Sequence, residues 1–276
     1  MNDPSNNGRA SILASRIFGK ALKGKTLVDV FWYVLNRSVG AIYLRWQPLF
    51  LRRLTTPLYG HIHGFARNAA FFSRGKRVLD VGAGSKPYQS QFVDANYEST
   101  DISGDHTFLS QLTEIPQADN TYDAVFCSEV LEHVPAPYEF MAEIYRILQP
   151  LGRLYLTVPL QARNHGCPYH YFNYAEGGLR LVFEKTGFKV LQINAAGGAF
   201  HFLATNLALL PMELFQQACQ QRTYLGAMGW ALTIVIVQPF VIVTNCILYF
   251  LDVLDHKKAI TANYLCICEK PEAMKS

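Results

Sequence analysis

None of the six cysteines pairs with another in a C-x-x-C spacing, which excludes the compact redox dithiol and the commonest zinc knuckle. Cys266 and Cys268 stand two apart and share one face of an expected strand. All six are read as small buried hydrophobes in a reducing compartment rather than disulfide partners. Neither the His nor the Cys spacings follow a ligand pattern, so no metal site is expected. A secretory leader is also missing: residues 1–15 are polar and Asn-rich, without a basic start, an apolar core and a small-residue cleavage site. Charge is sparse, at 17% of residues with a net +4. No RNA-binding module is visible, so no nucleic-acid partner is expected.

The charge that exists is unevenly spread. Residues 1–60 carry nine Lys and Arg against two Asp, while the other residues hold 16 basic and 19 acidic side chains. Large apolar groups such as Phe18, Phe31, Trp32, Trp46 and Phe50 alternate with the basic ones. That composition suits amphipathic helices on an anionic membrane surface, with a helical cap showing a solvated basic face as the alternative.

The chain is organised around residues 78–88. Val78 to Val81 read as a short buried strand, and Gly82 and Gly84 as a tight turn that brings backbone N–H groups against a ligand. The third glycine of a dinucleotide fingerprint is missing, and so is the Gly-Lys-Ser/Thr ending of a P-loop. Pro87 follows instead, suited to the first turn of a helix expected over 88–94. Further strands are expected at 97–101, 107–109, 122–127, 153–158, 188–194 and 264–269. Helices are expected from Pro137 to just before Pro150 and over 176–186. Strands alternating with helices predict a parallel sheet covered on both faces, with ligands outside the carboxyl ends of its strands.

Five ordered stretches carry a family likeness. They are Val78–Tyr88, Tyr97–Ile102, Leu112–Pro116 with Asn120–Phe126, Glu129–Val134 and Arg146–Leu154. Together they resemble the class I S-adenosylmethionine-dependent methyltransferases, type 11-like, over residues 76–196 with a further fragment at 261–271. The resemblance implies an α/β fold: a Rossmann-like seven-stranded methyltransferase sheet with its last strand antiparallel and helices on both faces. To this are added the basic N-terminal helices (1–75) and an apolar helical insertion (201–258) between the core (76–200) and the last strand and tail (259–276).

The same resemblance implies S-adenosyl-L-methionine as cofactor. Asp80 would position its amino-acid end, Gly82, Ala83, Gly84 and Ser85 its methionine and ribose portions, and Asp101 with Ile102 the ribose. Gln111, where the family often has Asp, would accept from the adenine amino group while the Leu112 N–H serves the ring. Ser128 and Glu129 complete the cofactor set. A turn-capping carboxylate is the alternative for Asp80.

Two groups stand as candidate bases. His133 could deprotonate a hydroxyl near neutral pH or simply brace its turn. The segment His165–Phe172 resembles the acceptor-covering segment of related bacterial enzymes, in which His170 would be base or acceptor ligand and Tyr171 and Phe172 walls, with a packed noncatalytic aromatic loop as the alternative.

Met228 to Leu251 form a 24-residue run without a charged side chain, long enough to span a bilayer. A single crossing would separate two strands of one sheet, and Gln238-Pro239 is expected to break the run into two short arms. The run is therefore read as a re-entrant or in-plane hairpin, with a lid or a dimer interface as alternatives. The expected activity is O-methylation of a lipid, quinone or lipid-linked sugar by a peripheral or monotopic enzyme on the cytoplasmic face of the membrane. The rivals are a noncatalytic interaction subunit of the same fold and a soluble small-molecule methyltransferase with a hydrophobic lid.

Overall fold

The computed structural model describes residues 57–162, 168–221 and 224–272. The expected basic helices before residue 57 lie outside the described residues, as do His165, Gly166 and Cys167. Two compact units are distinguished, residues 49–208 with 242–276 and residues 1–48 with 209–241.

The larger unit is built on seven strands: β1 (Arg77–Val81), β2 (Asn96–Asp101), β3 (Phe108–Leu109), β4 (Tyr122–Ser128), β5 (Leu148–Pro159), β6 (Lys189–Ala195) and β7 (Asn263–Glu269). They lie in the order β3-β2-β1-β4-β5-β7-β6. The first five are parallel neighbours, and β7 runs antiparallel between β5 and β6. The fold is the one the resemblance implies.

The central strands are apolar on both faces because both are covered. Val78, Ala124 and Phe126 pack with Phe65, Ala66, Ala69 and Phe92, which puts helix α1 (Pro57–Phe72) on one face. Its alanines at 66, 69 and 70 let the helix backbone approach closely. Leu79, Val81, Val125 and Cys127 face the other way, onto Phe140, Met141, Ile144 and Ile147 of α2 (Pro137–Ile147). Pro137 starts that helix, where a missing N–H costs nothing. Leu179, Val182 and Phe183 of α3 (Glu176–Lys185) join the same cluster.

The helix expected after Pro87 is a single 3-10 turn, Gln89–Gln91. Its segment has one buried anchor, Phe92, followed by the 76%-exposed Val93, so no second turn has an apolar face to bury. Leu151 adopts φ +64°; its side chain is exposed and the turn is tied by Leu151 N–H donating to the Lys270 carbonyl at 2.8 Å. Cys127, Cys219, Cys266 and Cys268 are buried free thiols and Cys246 is half-buried.

The insertion consists of α4 (Ala199–Gln220) and α5 (Tyr224–Leu251), which leads into a 3-10 turn at Asp252–Leu254. The expected break at Gln238-Pro239 is not present: α5 continues through Pro239, and α4 through Pro211. Each proline removes one donor, and the regular turns on both sides carry the helix across it. Among the described residues no helix is long and apolar enough to cross a membrane. Within the larger unit the start of α4 is latched to the end of α5. Asp252 is 3% exposed and accepts from the Gly198 and His201 N–H groups at 3.0 Å. It also faces His201 Nδ1 at 3.2 Å and Lys258 Nζ at 3.5 Å. Buried Asn245 donates to the Ala204 carbonyl at 2.9 Å.

Candidate active site

The carboxyl ends of β1, β2 and β4 converge. Val81 delivers the chain into Gly82 at φ +68° and Gly84 at φ +52°, both in the left-handed region where glycine carries no steric penalty. A Cβ on Gly82 would collide with the Val130 side chain, so the residue type is fixed by space as well as by dihedral. The turn is bonded to the end of β2. Gly82 N–H donates to the Thr100 carbonyl at 2.9 Å, and Gly84 N–H to Asp101 Oδ2 at 2.9 Å. Asp101 Oδ1 takes the Ile102 N–H at 2.6 Å. The carboxylate is thereby oriented at the rim, where two acceptor oxygens suit a vicinal diol.

Two adjoining cavities open here. The smaller, about 300 Å³, is lined by Asp80, Ala83, Gly84, Ser85, Tyr88 and Ser128 among others. The larger, about 540 Å³, has Asp101, Ile102, Gln111 and Leu112 at one part of its wall and His133, Tyr169 and Tyr171 at another. Gly82 and Glu129 line both. All eleven residues expected to hold the cofactor thus line one cavity or the other. His133 lines the larger cavity. His170 does not, though its ring stands 5.7 Å from that of His133.

Asp80 is 2% exposed. Burial pushes its carboxyl up to about 7, against the effect of the Tyr97 hydroxyl, which donates to Oδ2 at 2.6 Å. A buried acid beside an open cavity is suited to a cationic ligand group, which would favour its ionised form. The neighbourhood also pushes the Tyr97 and Tyr88 hydroxyls up, chiefly through burial.

The other part of the larger cavity's wall is assembled by the 3-10 turn Leu131–His133 after β4. The Glu132 carbonyl accepts the Tyr171 N–H at 2.9 Å and the Phe172 N–H at 3.3 Å. His133 Nδ1 lies 2.8 Å from the Tyr169 carbonyl. A carbonyl only accepts, so Nδ1 carries the proton and Nε2 is the basic nitrogen of the neutral ring. That nitrogen is 3.8 Å from Glu132 Oε1. The Glu132 carboxyl is fully buried and is pushed up by desolvation and then by the negative charge of Glu129.

Glu129 has a support that the sequence reading did not identify. Its backbone sits at φ +57°, with its N–H donating to the Thr157 carbonyl at 3.1 Å. Its Oε1 accepts from the Thr157 hydroxyl and from Asn263 Nδ2, both at 2.7 Å. Thr157 and Asn263 are 0% and 2% exposed. The signal in the sequence is slight: one polar residue at the head of the apolar strand Asn263–Glu269.

Left-handed glycines, a rim carboxylate and a buried acid make a bed that fits S-adenosylmethionine. Comparison with known proteins agrees. A family model described as a methyltransferase domain matches residues 56–193, half of the chain. The mitochondrial ubiquinone biosynthesis O-methyltransferase of Schizosaccharomyces pombe is 29% identical over 103 residues, 30% of this chain and 38% of that protein. The demethylmenaquinone methyltransferase of Renibacterium salmoninarum is 34% identical over 94 residues, 29% of this chain and 40% of that protein. The chain therefore spans well under half the length of these curated relatives. Among solved structures, the (4+2)-cyclase SpnF aligns at a TM-score of 0.50 and 16% identity over 77% of this chain and 80% of that one, a likeness of fold alone. With its family-matched core, its last strand reversed and its glycine turn bonded to the β2 acid, the chain belongs to the class I S-adenosylmethionine-dependent methyltransferases.

Proposed function

We propose that the protein is an O-methyltransferase whose acceptor is a hydroxylated quinone-type lipid. The observation that carries this reading is the larger cavity, which joins the cofactor residues Asp101, Gln111 and Leu112 to a wall of His133, Tyr169 and Tyr171. The bound cofactor supplies an activated methyl group on a sulfonium. The remaining tasks are to orient an oxygen toward that methyl, exclude water and accept a proton. His133 Nε2 is the base of this proposal, with its tautomer fixed by the Tyr169 carbonyl. Tyr169 and Tyr171 flank the acceptor, and His170 braces the segment through its contact to the Phe172 carbonyl at 3.2 Å. The relatives named for ubiquinone and demethylmenaquinone favour a quinone ring over the other acceptors that the sequence leaves open, a second lipid or a lipid-linked sugar.

A peripheral or monotopic place on the cytoplasmic face of the membrane is part of the proposal, since such an acceptor carries a long apolar tail. Exposed Val243, Ile247, Phe250 and Leu254 recur at helical spacing toward the end of the insertion, with exposed Lys257 following. Apolar side chains edged by a cation suit a lipid interface, and the basic residues of the first 60 add a second attraction. The test is transfer of labelled methyl from S-adenosylmethionine to a short-chain hydroxyquinol, with flotation of the full chain on anionic and on neutral vesicles. Methylated product and binding to anionic vesicles are expected. A chain that binds cofactor but leaves hydroxyquinol unmethylated contradicts the acceptor, and one that stays off anionic vesicles contradicts the location.

A further inference from the structure

We propose that Arg146 is a positioning residue for the cofactor: bound to Glu143, it holds the segment between β3 and β4 in the shape that sets Gln111 and Leu112 against the adenine. The inference rests on the assignment of those two residues to the adenine, and it is independent of the acceptor.

The segment has a shape that its own residues do not favour. Leu112 lies at φ +44°, in the left-handed region, where a leucine Cβ is crowded by its own backbone and offers no polar group in compensation. It stands at the apex of a tight turn in which the Thr113 N–H and the Thr113 hydroxyl both donate to the Gln111 carbonyl. A conformation of this kind persists where its surroundings hold it. Gln111 and Leu112 line the larger cavity with Asp101 and Ile102, so the strained turn is also a wall of the site.

The turn is held at both ends. Upstream, the Ser110 N–H donates to the Asp101 carbonyl at 3.1 Å and the Ser110 hydroxyl lies 2.9 Å from that of Thr100. The turn therefore starts from the residue assigned to the ribose.

Downstream, the hold comes from helix α2, and all five guanidinium N–H groups of Arg146 take part. Nη2 donates to the Ile115 carbonyl at 2.9 Å and Nη1 to the Gln117 carbonyl at 2.7 Å. Nε and Nη2 donate to Glu143 Oε2 and Oε1 at 2.8 and 2.7 Å, and Nη1 to Asp119 Oδ1 at 2.7 Å. Glu143 closes the ring, since its Oε1 also accepts the Ile115 N–H at 2.6 Å. The bond from Arg146 holds the Glu143 carboxyl below the usual carboxylate range, so the pair stays ionised near neutral pH. Both backbone groups of Ile115 are thus fixed, and its side chain is in the core at 3% exposure. Only Thr113 and Glu114 separate it from Leu112, too short a link to absorb a shift. Lysine would keep the charge but not the planar fork that serves two carbonyls and two carboxylates together.

The experiment is calorimetric titration of the full chain with two probes, S-adenosylhomocysteine and its analogue carrying hydrogen in place of the adenine amino group. Wild type is expected to prefer the first, and Gln111→Ala to lose that preference. Arg146→Lys should weaken S-adenosylhomocysteine binding by roughly tenfold, the scale of one hydrogen bond in a partly buried site, and shrink the preference as Gln111→Ala does. Glu143→Gln should act in the same direction by less, and keeps the clamp testable if Arg146→Lys does not fold. Lys270→Met is the control for stability alone, because Lys270 Nζ bonds the Tyr145 and Leu148 carbonyls at the end of the same helix; it should lower the melting temperature and keep the preference. A folded Arg146→Lys or Glu143→Gln variant with the wild-type preference would overturn the proposal, as would an equal loss of preference in Lys270→Met. If Gln111→Ala keeps the preference, the adenine assignment falls and the proposal with it; if Gln111→Ala loses it while the Arg146 and Glu143 variants do not, the clamp alone is wrong.

Discussion

Two buried aspartates in the larger unit are treated in opposite ways. Asp252, 3% exposed, receives the Gly198 and His201 N–H groups and faces His201 and Lys258. Asp80, 2% exposed, has one side-chain partner among the described residues, the Tyr97 hydroxyl, and burial pushes it up to about 7. The first is a structural charge with its donors supplied by the fold. The second lines a cavity, with one neutral side-chain donor from the described residues. Burial alone does not distinguish a latch from a binding group; the count and charge of the donors does.

The sharpest way to break this comparison is to remove each carboxylate. Asp252→Ala leaves two backbone donors and a histidine without their acceptor. It is expected to cost about 3–5 kcal/mol, as loss of one partner in a buried ionic cluster does. The check is chemical denaturation, with cofactor affinity in the folded protein unchanged. Asp80→Asn should do the reverse. Above neutral pH it removes a buried charge, so the melting temperature should hold or rise, while S-adenosylhomocysteine affinity falls roughly tenfold through loss of one charge-assisted contact.

Proton linkage gives a smaller effect. Asp80 is raised from 3.8 to about 7 on folding. Between those values the native state binds more protons than the unfolded one, so this group's contribution is full at low pH and declines as pH rises toward 7. A cationic ligand group that favours the carboxylate should expel the proton. Binding of S-adenosylhomocysteine near pH 6 should therefore release protons, read from the dependence of calorimetric heat on buffer, and Asp80→Asn should abolish the release.

The smallest effect belongs to the latch. His61 Nε2 contacts His201 Nδ1 at 2.9 Å, and burial, followed by the charge of His201, lowers His61 from 6.5 to about 4. Here the unfolded state binds more protons, so stability is lost as pH falls from 6.5 toward 4. The two slopes oppose each other in an overlapping window. His61→Gln should leave the declining Asp80 slope visible in melting temperature against pH, and Asp80→Asn the rising His61 slope.

Much of this arrangement was legible in the sequence. Strong apolar runs and glycine turns placed β1, β2, β4, β6 and β7 to within a residue at each end, while β5 begins five residues before its expected start; the motif order picked out eleven residues that line the two adjoining cavities. What was not legible depended on distant partners. Residues 57–72 read as part of a basic N-terminal segment, because an alanine-rich face shows its purpose only when Phe126 and Tyr155 are against it. Pro239 read as a breaker because the local cost of proline is clear and the cohesion of a 28-residue helix is not. The clamp on Glu129 joins residues 134 apart in sequence, and only the reversal of β7 brings them together.

Calorimetric binding of S-adenosylhomocysteine to the full chain, beside Asp101→Ala, tests the central claim most directly. Micromolar binding by the wild type, lost in a folded Asp101→Ala variant, is the predicted result. A folded wild type that binds no S-adenosylhomocysteine, or an Asp101→Ala variant that binds it undiminished, would contradict the assignment of the cofactor site.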